Sequence, residues 1–197
     1  MDIQLLHGSG IAPYIDEVAR LRITVFRDFP YLYDGTVEYE AEYLATYVRS
    51  EDSLCVLVRD GDQVVGASTA LPLEDESEAF QRPFVSAGWD VPRIFYYAES
   101  VLLPAYRGTG LGVRFFEERE AHARRLGRFG YCAFCAVQRP ADHPRRPADY
   151  VPLDAFWARR GYQHHPELHT EYRWRDLDEE SESPKPMSFW IKPLDPS

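Results

Sequence analysis

A glycine-rich turn offers the clearest chemistry in this chain of 197 residues. Arg107, Gly108, Gly110 and Gly112 follow an apolar, strand-like run and precede a segment with helical spacing. Glycines allow a positive φ and a close approach of the backbone to a ligand, and free N–H groups at a helix start carry the positive end of the helix dipole. Segment 107–112 is therefore predicted to bind a phosphate or pyrophosphate; a plain tight turn without a ligand is the alternative.

Two other phosphate-binding motifs do not fit this turn. It lacks the Gly-Lys-Ser/Thr ending of a P-loop. A dinucleotide-binding fold places its glycines after the first strand and an acidic residue about 20 positions later. Here the turn follows the fourth predicted strand, so that arrangement is not indicated either.

Glu99 is the first candidate for a general base. It lies in the apolar and aromatic run 93–103, and such surroundings should raise the pKa of a carboxyl group toward the range useful for proton transfer. Strand alternation places Glu99 and Ser100 on opposite faces unless a bulge intervenes. The alternative is that Glu99 forms an ion pair with an arginine from elsewhere in the chain.

The cysteines predict no metal site. Cys132 and Cys135 stand three residues apart on a predicted strand, so their side chains face opposite sides and cannot share one metal ion. No matching pair of histidines lies nearby, and three cysteines in all, with Cys55, imply no framework of disulfides. Buried, reduced cysteines are the prediction.

The elements that position these residues follow from hydrophobic spacing and turn signals. Strands are predicted at 2–6, 53–59, 63–71, 93–103, 131–137, 171–176 and 187–192. Helices are predicted at 11–29, 37–49, 110–126 and 153–160, and 72–92 is predicted as a loop that could hold a short helix. The crossover from 93–103 to 131–137 should make those two strands parallel. We therefore predict one α/β domain over residues 1–197, with a mixed sheet and helices on both faces.

In this setting the turn resembles the signature of the GNAT acetyltransferases, Arg/Gln-x-x-Gly-x-Gly/Ala, with Arg107, Gly110 and Gly112 at its fixed positions. The later segment 156–162 (FWARRGY) is similar to the short fourth helix of that family and the strand after it. The order of elements is similar over nearly the whole chain. The resemblance implies a GNAT-like acyl-CoA N-acyltransferase fold, whose central sheet splays between the fourth and fifth strands, with acetyl-CoA as the co-substrate lying in the splay.

The resemblance also implies which residues bind the cofactor. The backbone N–H groups of 107–112 would bind the pyrophosphate, and the backbone near Val101 to Leu103 would pair with the pantetheine arm like an added strand. The thioester would then lie near Ser100 and Val101. The predicted cofactor-binding residues are Val101, Leu102, Leu103, Arg107, Gly108, Thr109, Gly110, Leu111, Gly112 and Trp157.

One position departs from the family pattern. Many members carry a tyrosine in the fourth helix, four residues before the closing glycine, and this sequence has Trp157 there. An indole N–H cannot deliver a proton at neutral pH, so Tyr150 is a candidate general acid, with water as the alternative. The resemblance implies direct attack by the neutral amine in a ternary complex. Glu99, the candidate base, would act directly or through water. Trp157 would pack against the cofactor or belong to the core.

The resemblance places the first two helices and their connection over the acceptor site. This puts Tyr31, Tyr33 and Glu38 at the cleft, where aromatic rings and carboxylates suit a cationic amine. An aromatic cluster beneath a loop is the alternative. Ser100 and His143 complete the predicted acceptor-binding set.

His143 belongs to the long proline-rich loop 138–151, which is a candidate lid. Its Arg145 and Arg146 could contact a carboxylate of the substrate or the phosphates of the cofactor. The acidic tract 176–183 is predicted to be a solvated hairpin tip, and edge strands of that last hairpin could pair two subunits into a homodimer.

Charge and hydropathy limit the partners. The net charge of −10 disfavours nucleic acid and suits a cationic substrate, although it also serves solubility. No apolar run has the roughly 18 to 20 residues that a membrane helix needs, and the N-terminus lacks a signal-peptide pattern, so a cytoplasmic location is expected.

These observations together predict an acetyl-CoA-dependent N-acetyltransferase of small-molecule primary amines, with no metal. Two alternatives stay open. One is a CoA-binding sensor or regulatory module without catalysis, and the other is a protein or peptide N-acetyltransferase.

Overall fold

Seven strands form one mixed sheet in the computed structural model, which describes residues 1–194. Residues 195–197, which the predicted domain includes, lie outside the described residues. The strands are β1 (Asp2–Leu6), β2 (Leu54–Asp60), β3 (Gln63–Pro72), β4 (Ile94–Leu102), β5 (Tyr131–Val137), β6 (Gln163–Trp174) and β7 (Ser183–Pro193). The helices are α1 (Ile15–Phe26), α2 (Val37–Arg49), α3 (Glu78–Ser86), α4 (Leu111–Leu126) and α5 (Asp154–Ala158).

The spatial order of the strands is β1-β2-β3-β4-β5-β7-β6. The β4–β5 pair is parallel, as the crossover through α4 predicts, and the other neighbouring pairs are antiparallel. Strand alternation divides the core between two faces. Tyr96 packs with Phe80 on the face that α1, α2 and α3 cover, while Tyr97 packs with Phe116 on the face that α4 and α5 cover. β6 forms one edge of the sheet; the homodimer stays a prediction.

The sheet splays between β4 and β5. Parallel pairing joins Ile94–Tyr97 to residues 131–134 and then stops, although β4 continues to Leu102 and β5 to Val137. A register shift between Ser68 and Ala70 sets two residues of β4 against one residue of β3 just beyond this point. Such a bulge bends the strand that carries it. The predicted splay is confirmed, and it leaves the end of β4 open on one side.

Two helical segments differ from the prediction. The predicted helix 11–29 is a 3-10 turn over Gly8–Tyr14, which contains Pro13, followed by α1, because proline supplies no N–H for a continuous α-helix. The predicted loop 72–92 contains α3, with Pro83 inside it. Pro83 cannot donate to the carbonyl of Ala79, and the hydroxyl of Thr170 donates to that carbonyl instead, at 2.7 Å. The added helix gives the order β-α-α-β-β-α-β-α-β-α-β-β.

The last hairpin is longer than predicted, since β6 begins at Gln163 and not at residue 171. The stretch between His165 and His169 contains Pro166 and pairs with β7 in an irregular register. The alternation of a regular strand is therefore missing from this part of the sequence. The predicted solvated tip is wrong at Asp176, whose side chain is buried. None of the helices in the described part of the chain has the length and apolar character needed to cross a bilayer.

Candidate active site

A cleft of about 1300 Å³ opens where β4 and β5 separate. Tyr97 and Phe134, the last paired residues, lie at its floor. The glycine turn and α4 form one wall, and residues 25–31 and the loop 138–151 form the other. Ten of the predicted site residues line it: Tyr31, Glu99, Ser100, Leu102, Arg107, Gly108, Gly110, Gly112, Tyr150 and Trp157.

The other predicted site residues do not line the cleft. They are Tyr33, Glu38, Val101, Leu103, Thr109, Leu111 and His143. Tyr33 is buried beneath Gly35, and Glu38 is exposed in the first turn of α2. The carboxylate of α2 that points inward is Glu40, because it shares a helical stripe with the buried Leu44. His143 packs against Phe29 behind the cleft wall, with ring centroids 5.7 Å apart.

The glycine turn presents unused backbone donors. Gly108 and Gly110 have φ values of 77° and 91°, in the region that favours glycine. The hydroxyl of Thr109 donates to the carbonyl of Tyr106 at 2.7 Å and fixes the turn. α4 has no side-chain cap and no acidic residue in its first turn. In the part of the chain that the structure describes, the N–H groups of 108–112 donate no hydrogen bond, which fits a site for an anion.

The end of β4 can accept an extended ligand. The N–H of Leu103 donates to the carbonyl of Val65 at 3.0 Å, so by antiparallel alternation the backbone of Val101 also faces β3. The backbone groups of Ser100 and Leu102 then face the splay. Arg107 already contacts this edge, because its Nε donates to the carbonyl of Leu102 at 3.2 Å.

Glu99 belongs to a buried ionic cluster. Its carboxylate pairs with Arg22 of α1, and Arg22 also pairs with Glu40 of α2. The Arg22 guanidinium lies over the rings of Phe26 and Tyr43, at 5.0 and 4.7 Å. Burial raises the pKa of Glu99 above its ordinary value, and the charge of Arg22 opposes that rise. The ion pair that the sequence left open is therefore present, and a role for Glu99 as a base stays a prediction.

Glu76 adds a further carboxyl group near this cluster. Its Oε1 accepts the N–H of Ser77 at 2.9 Å, while its buried Oε2 accepts no hydrogen bond from the described residues. Burial raises the pKa of Glu76 to about 7. Sequence reasoning missed Arg22, Glu40 and Glu76. Arg22 carried a usable signal, since it continues the apolar stripe of α1 that begins at Val18.

The loop 138–151 is held firmly over the cleft. Arg139 donates to the carbonyls of Pro30 and Tyr31, at 2.7 and 2.8 Å, and pairs with the buried Asp176 at 2.8 Å. Tyr150 meets Phe29 edge-on, with ring centroids 4.7 Å apart. Burial raises the pKa of Tyr150, which keeps its hydroxyl protonated at neutral pH.

The aromatic and sulfur groups near the floor belong partly to the core. Trp157 packs against Phe134 and Trp190 at 5.1 and 5.2 Å and also lines the cleft. Cys132 and Cys135 are buried, as predicted, and burial raises the pKa of each thiol to about 12. Within residues 1–194 no group of three or more potential metal ligands occurs.

The splay, the glycine turn and the cleft define the class of protein. The sequence model of the acetyltransferase (GNAT) family matches residues 19–148, which is more than half of the chain. The chain belongs to this family, whose members transfer an acyl group and use acetyl-CoA. No curated protein matches the chain significantly by sequence.

Solved structures agree with this fold at low sequence identity. The ribosomal-protein-alanine N-acetyltransferase from Brucella melitensis is 13% identical, with a TM-score of 0.61 over 98% of this chain and 100% of the other. Aminoglycoside 6'-acetyltransferase type Ii is 15% identical, with a TM-score of 0.57 over 100% and 99%. The yncA protein from Salmonella typhimurium, solved with its cofactor acetyl-CoA, is 10% identical, with a TM-score of 0.56 over 99% and 95%. At such identities the likeness concerns the fold alone.

Proposed function

We propose that this chain is an acetyl-CoA-dependent N-acetyltransferase that acetylates a primary amine of a small molecule by direct attack in a ternary complex. The observation that carries the proposal is the cleft at the splay. It joins the unused backbone donors of 108–112 on one side to the buried carboxylate of Glu99 on the other.

The residues present fit the cofactor. Bound acetyl-CoA would supply an activated thioester. The N–H groups of 108–112 and the exposed Arg107 would hold its pyrophosphate, and the open backbone of Ser100 and Leu102 would align its pantetheine arm.

The acceptor side fits a cationic amine. Arg22 pairs with Glu40 and Glu99, and Glu76 interacts with the charges of Arg22 and Glu99, so this buried group carries excess negative charge whenever more than one of the three carboxyl groups is ionised. Such a field attracts an ammonium group toward Glu99. Glu99 would then take the proton that the amine loses, directly or through water, and its raised pKa brings it nearer to that task.

The anchored loop favours a small acceptor over a peptide. Arg139 ties the loop 138–151 to Pro30 and Tyr31, so the loop and the α1–α2 connection meet over the acceptor side of the cleft. The solved structures with this fold include both a protein N-acetyltransferase and an aminoglycoside acetyltransferase, so the fold itself does not choose between them. Because this side of the cleft is closed, it supports a small-molecule acceptor rather than a peptide.

A CoA-binding module without catalysis is the second candidate. Two observations favour it: Glu99 is already paired with Arg22, and Trp157 stands where many family members carry a tyrosine. This candidate shares the cofactor site and differs only in the chemical step. Binding and turnover must therefore be measured separately.

The test is a thiol-release assay with acetyl-CoA and a panel of amino acids, polyamines, aminoglycosides and short peptides, run beside an acetyl-CoA thermal-shift measurement. Release with a small amine is the expected result and names the substrate class. Release with peptides alone would move the assignment to a peptide acetyltransferase, and a thermal shift without any release would favour the silent module. Absence of a shift at high acetyl-CoA concentration would contradict the proposal itself.

A further inference from the structure

Arg119 is a buried cation without an acidic partner. Its side chain is 1% exposed, and no carboxylate lies within 4.0 Å of it among the residues that the structure describes. Its Nε donates to the carbonyl of Phe115 at 3.0 Å, and its Nη1 donates to the carbonyl of Glu99 at 3.2 Å. Burying an uncompensated charge is costly, so an anion that binds beside it would regain much of that cost.

The guanidinium lies at the point where the cleft begins. It stands 4.1 Å from the ring centroid of Tyr97, the last residue of β4 that pairs with β5. It also lies 4.9 Å from the ring of Phe116, and it lines the cleft. Its bond to the Glu99 carbonyl ties it to the bulged part of β4, beside the open backbone of Ser100. A ligand that follows that edge to its inner end meets Arg119.

We propose that Arg119 is a catalytic residue that stabilises the leaving thiolate of CoA, in place of a proton donor at Trp157. This inference rests on the proposed function. In the step it serves, the amine nitrogen bonds to the acyl carbon, the carbon–sulfur bond breaks, and its electron pair goes to sulfur. The amine proton goes to Glu99 or to water, and the sulfur leaves as an anion held by the guanidinium, so no proton donor is required.

The titratable side chains next to Arg119 stay neutral, so the leaving thiolate is the anion that would pair with it. Burial raises the pKa of Cys132 to about 12 and raises that of Tyr97 and Tyr162 well above the ordinary tyrosine value, so all three stay neutral near pH 9. Glu99 turns its carboxylate toward Arg22 and only its carbonyl toward Arg119. The Glu99 charge acts on this cation only from a distance, and no carboxylate of residues 1–194 is in contact with it.

The experiment measures the binding of CoA and of desulfo-CoA, which lacks the thiol, by calorimetry from about pH 7 to pH 9. In the wild-type protein we expect CoA to gain at least about tenfold in affinity relative to desulfo-CoA over this range, because a thiol whose pKa is lowered on binding favours the bound thiolate. Taking the ratio cancels the pH effects on the protein that both ligands share, so the remaining change reports on the thiol and its surroundings. This measurement needs no variant and no turnover.

Two variants of Arg119 and one control variant sharpen the result. Arg119→Gln should abolish the pH-dependent gain and lower kcat by about tenfold or more while desulfo-CoA still binds, whereas Arg119→Lys should retain part of both. Arg114→Gln, on the exposed face of the same helix, is the matched control and should keep the full gain. A constant CoA to desulfo-CoA ratio in the wild type, or a gain that persists in Arg119→Gln, would overturn this inference while leaving CoA binding intact. Failure of both ligands to bind would overturn the proposed function as well.

Discussion

The two sides of the cleft are built from different groups. On the proposed cofactor side, the donors at the turn are backbone N–H groups of 108–112, and they have no acceptor within the described residues. On the proposed acceptor side, the arginines are already paired with buried carboxylates. Arg22 pairs with Glu40 and Glu99, and Arg139 pairs with Asp176.

This difference has a physical consequence. A backbone site depends on the conformation of a few consecutive residues and tolerates many changes of side chain. A side-chain site depends on the charge of particular residues that are far apart in the sequence, so one substitution leaves a buried partner unpaired. Substitutions on the acceptor side should therefore change stability and pH dependence, and those at the turn should change cofactor affinity.

The largest effect is expected for Arg139→Gln. The change removes hydrogen bonds to Pro30 and Tyr31, and among residues 1–194 it leaves the carboxylate of buried Asp176 with only Lys185, at 3.3 Å. We therefore expect a loss of about 3 kcal/mol in the free energy of unfolding. Arg145→Gln in the same loop is the control. Its contact with Asp178 is exposed and 3.7 Å long, and it should cost less than about 0.5 kcal/mol in the same denaturation measurement. Equal losses of stability in the two variants would show that the buried contacts of Arg139 stabilise the fold no more than an exposed ion pair does.

The next effect concerns Glu99→Gln. A positioned base contributes roughly 10²-fold, or about 2.7 kcal/mol, so kcat should fall by that amount while acetyl-CoA affinity stays unchanged. Glu40→Gln is a matched control, because Glu40 pairs with the same Arg22 but does not line the cleft. A loss of less than about tenfold in Glu99→Gln would contradict its role as the base. A similar loss in both variants would show that the ion pair with Arg22, and not proton transfer, accounts for the effect.

Glu76 should make stability depend on pH. Its pKa is raised from the ordinary value of 4.5 to about 7 in the folded state, so the folded protein binds a proton more tightly than the unfolded chain does. Stability should therefore fall as the pH rises from about 4.5 to 7, and it should level off above pH 7. We expect a loss of about 2 kcal/mol between about pH 5 and pH 8, measured by chemical denaturation. Glu76→Gln should remove most of this slope. A variant with the wild-type slope would assign the dependence to another group.

The smallest effect tests the cofactor side. Gly110→Ala places a side chain on a residue whose backbone φ is 91°, a conformation that costs about 1–2 kcal/mol for alanine. We expect acetyl-CoA binding to weaken by about tenfold. Gly127→Ala is matched in backbone strain, with a φ of 72° at the other end of α4, outside the cleft lining. It should lower stability similarly and leave acetyl-CoA affinity unchanged. If both variants bound acetyl-CoA with equal affinity, segment 107–112 would not be the cofactor site.

Much of the cofactor side could be predicted from the sequence, because its signals are local. The glycine spacing of 107–112, the helical period of α4 and the β4–α4–β5 crossover each follow from short-range patterns, and all three elements occur as expected. α3 was predicted only as a segment that could hold a short helix, because Pro83 masks its period. Its stability depends on Thr170, which is far away in the sequence.

The acceptor side was decided by tertiary structure. Sequence reasoning placed Tyr33 and Glu38 at the cleft, but the rotation of α2 turns Glu40 inward and leaves Glu38 in solvent. The burial of Asp176 depends on Arg139, which lies 37 residues earlier in the chain. Local pattern fixes the backbone of a turn, since its geometry is set by adjacent residues. Long-range packing alone fixes which charges meet, since pairing energy depends on distances that sequence spacing does not determine.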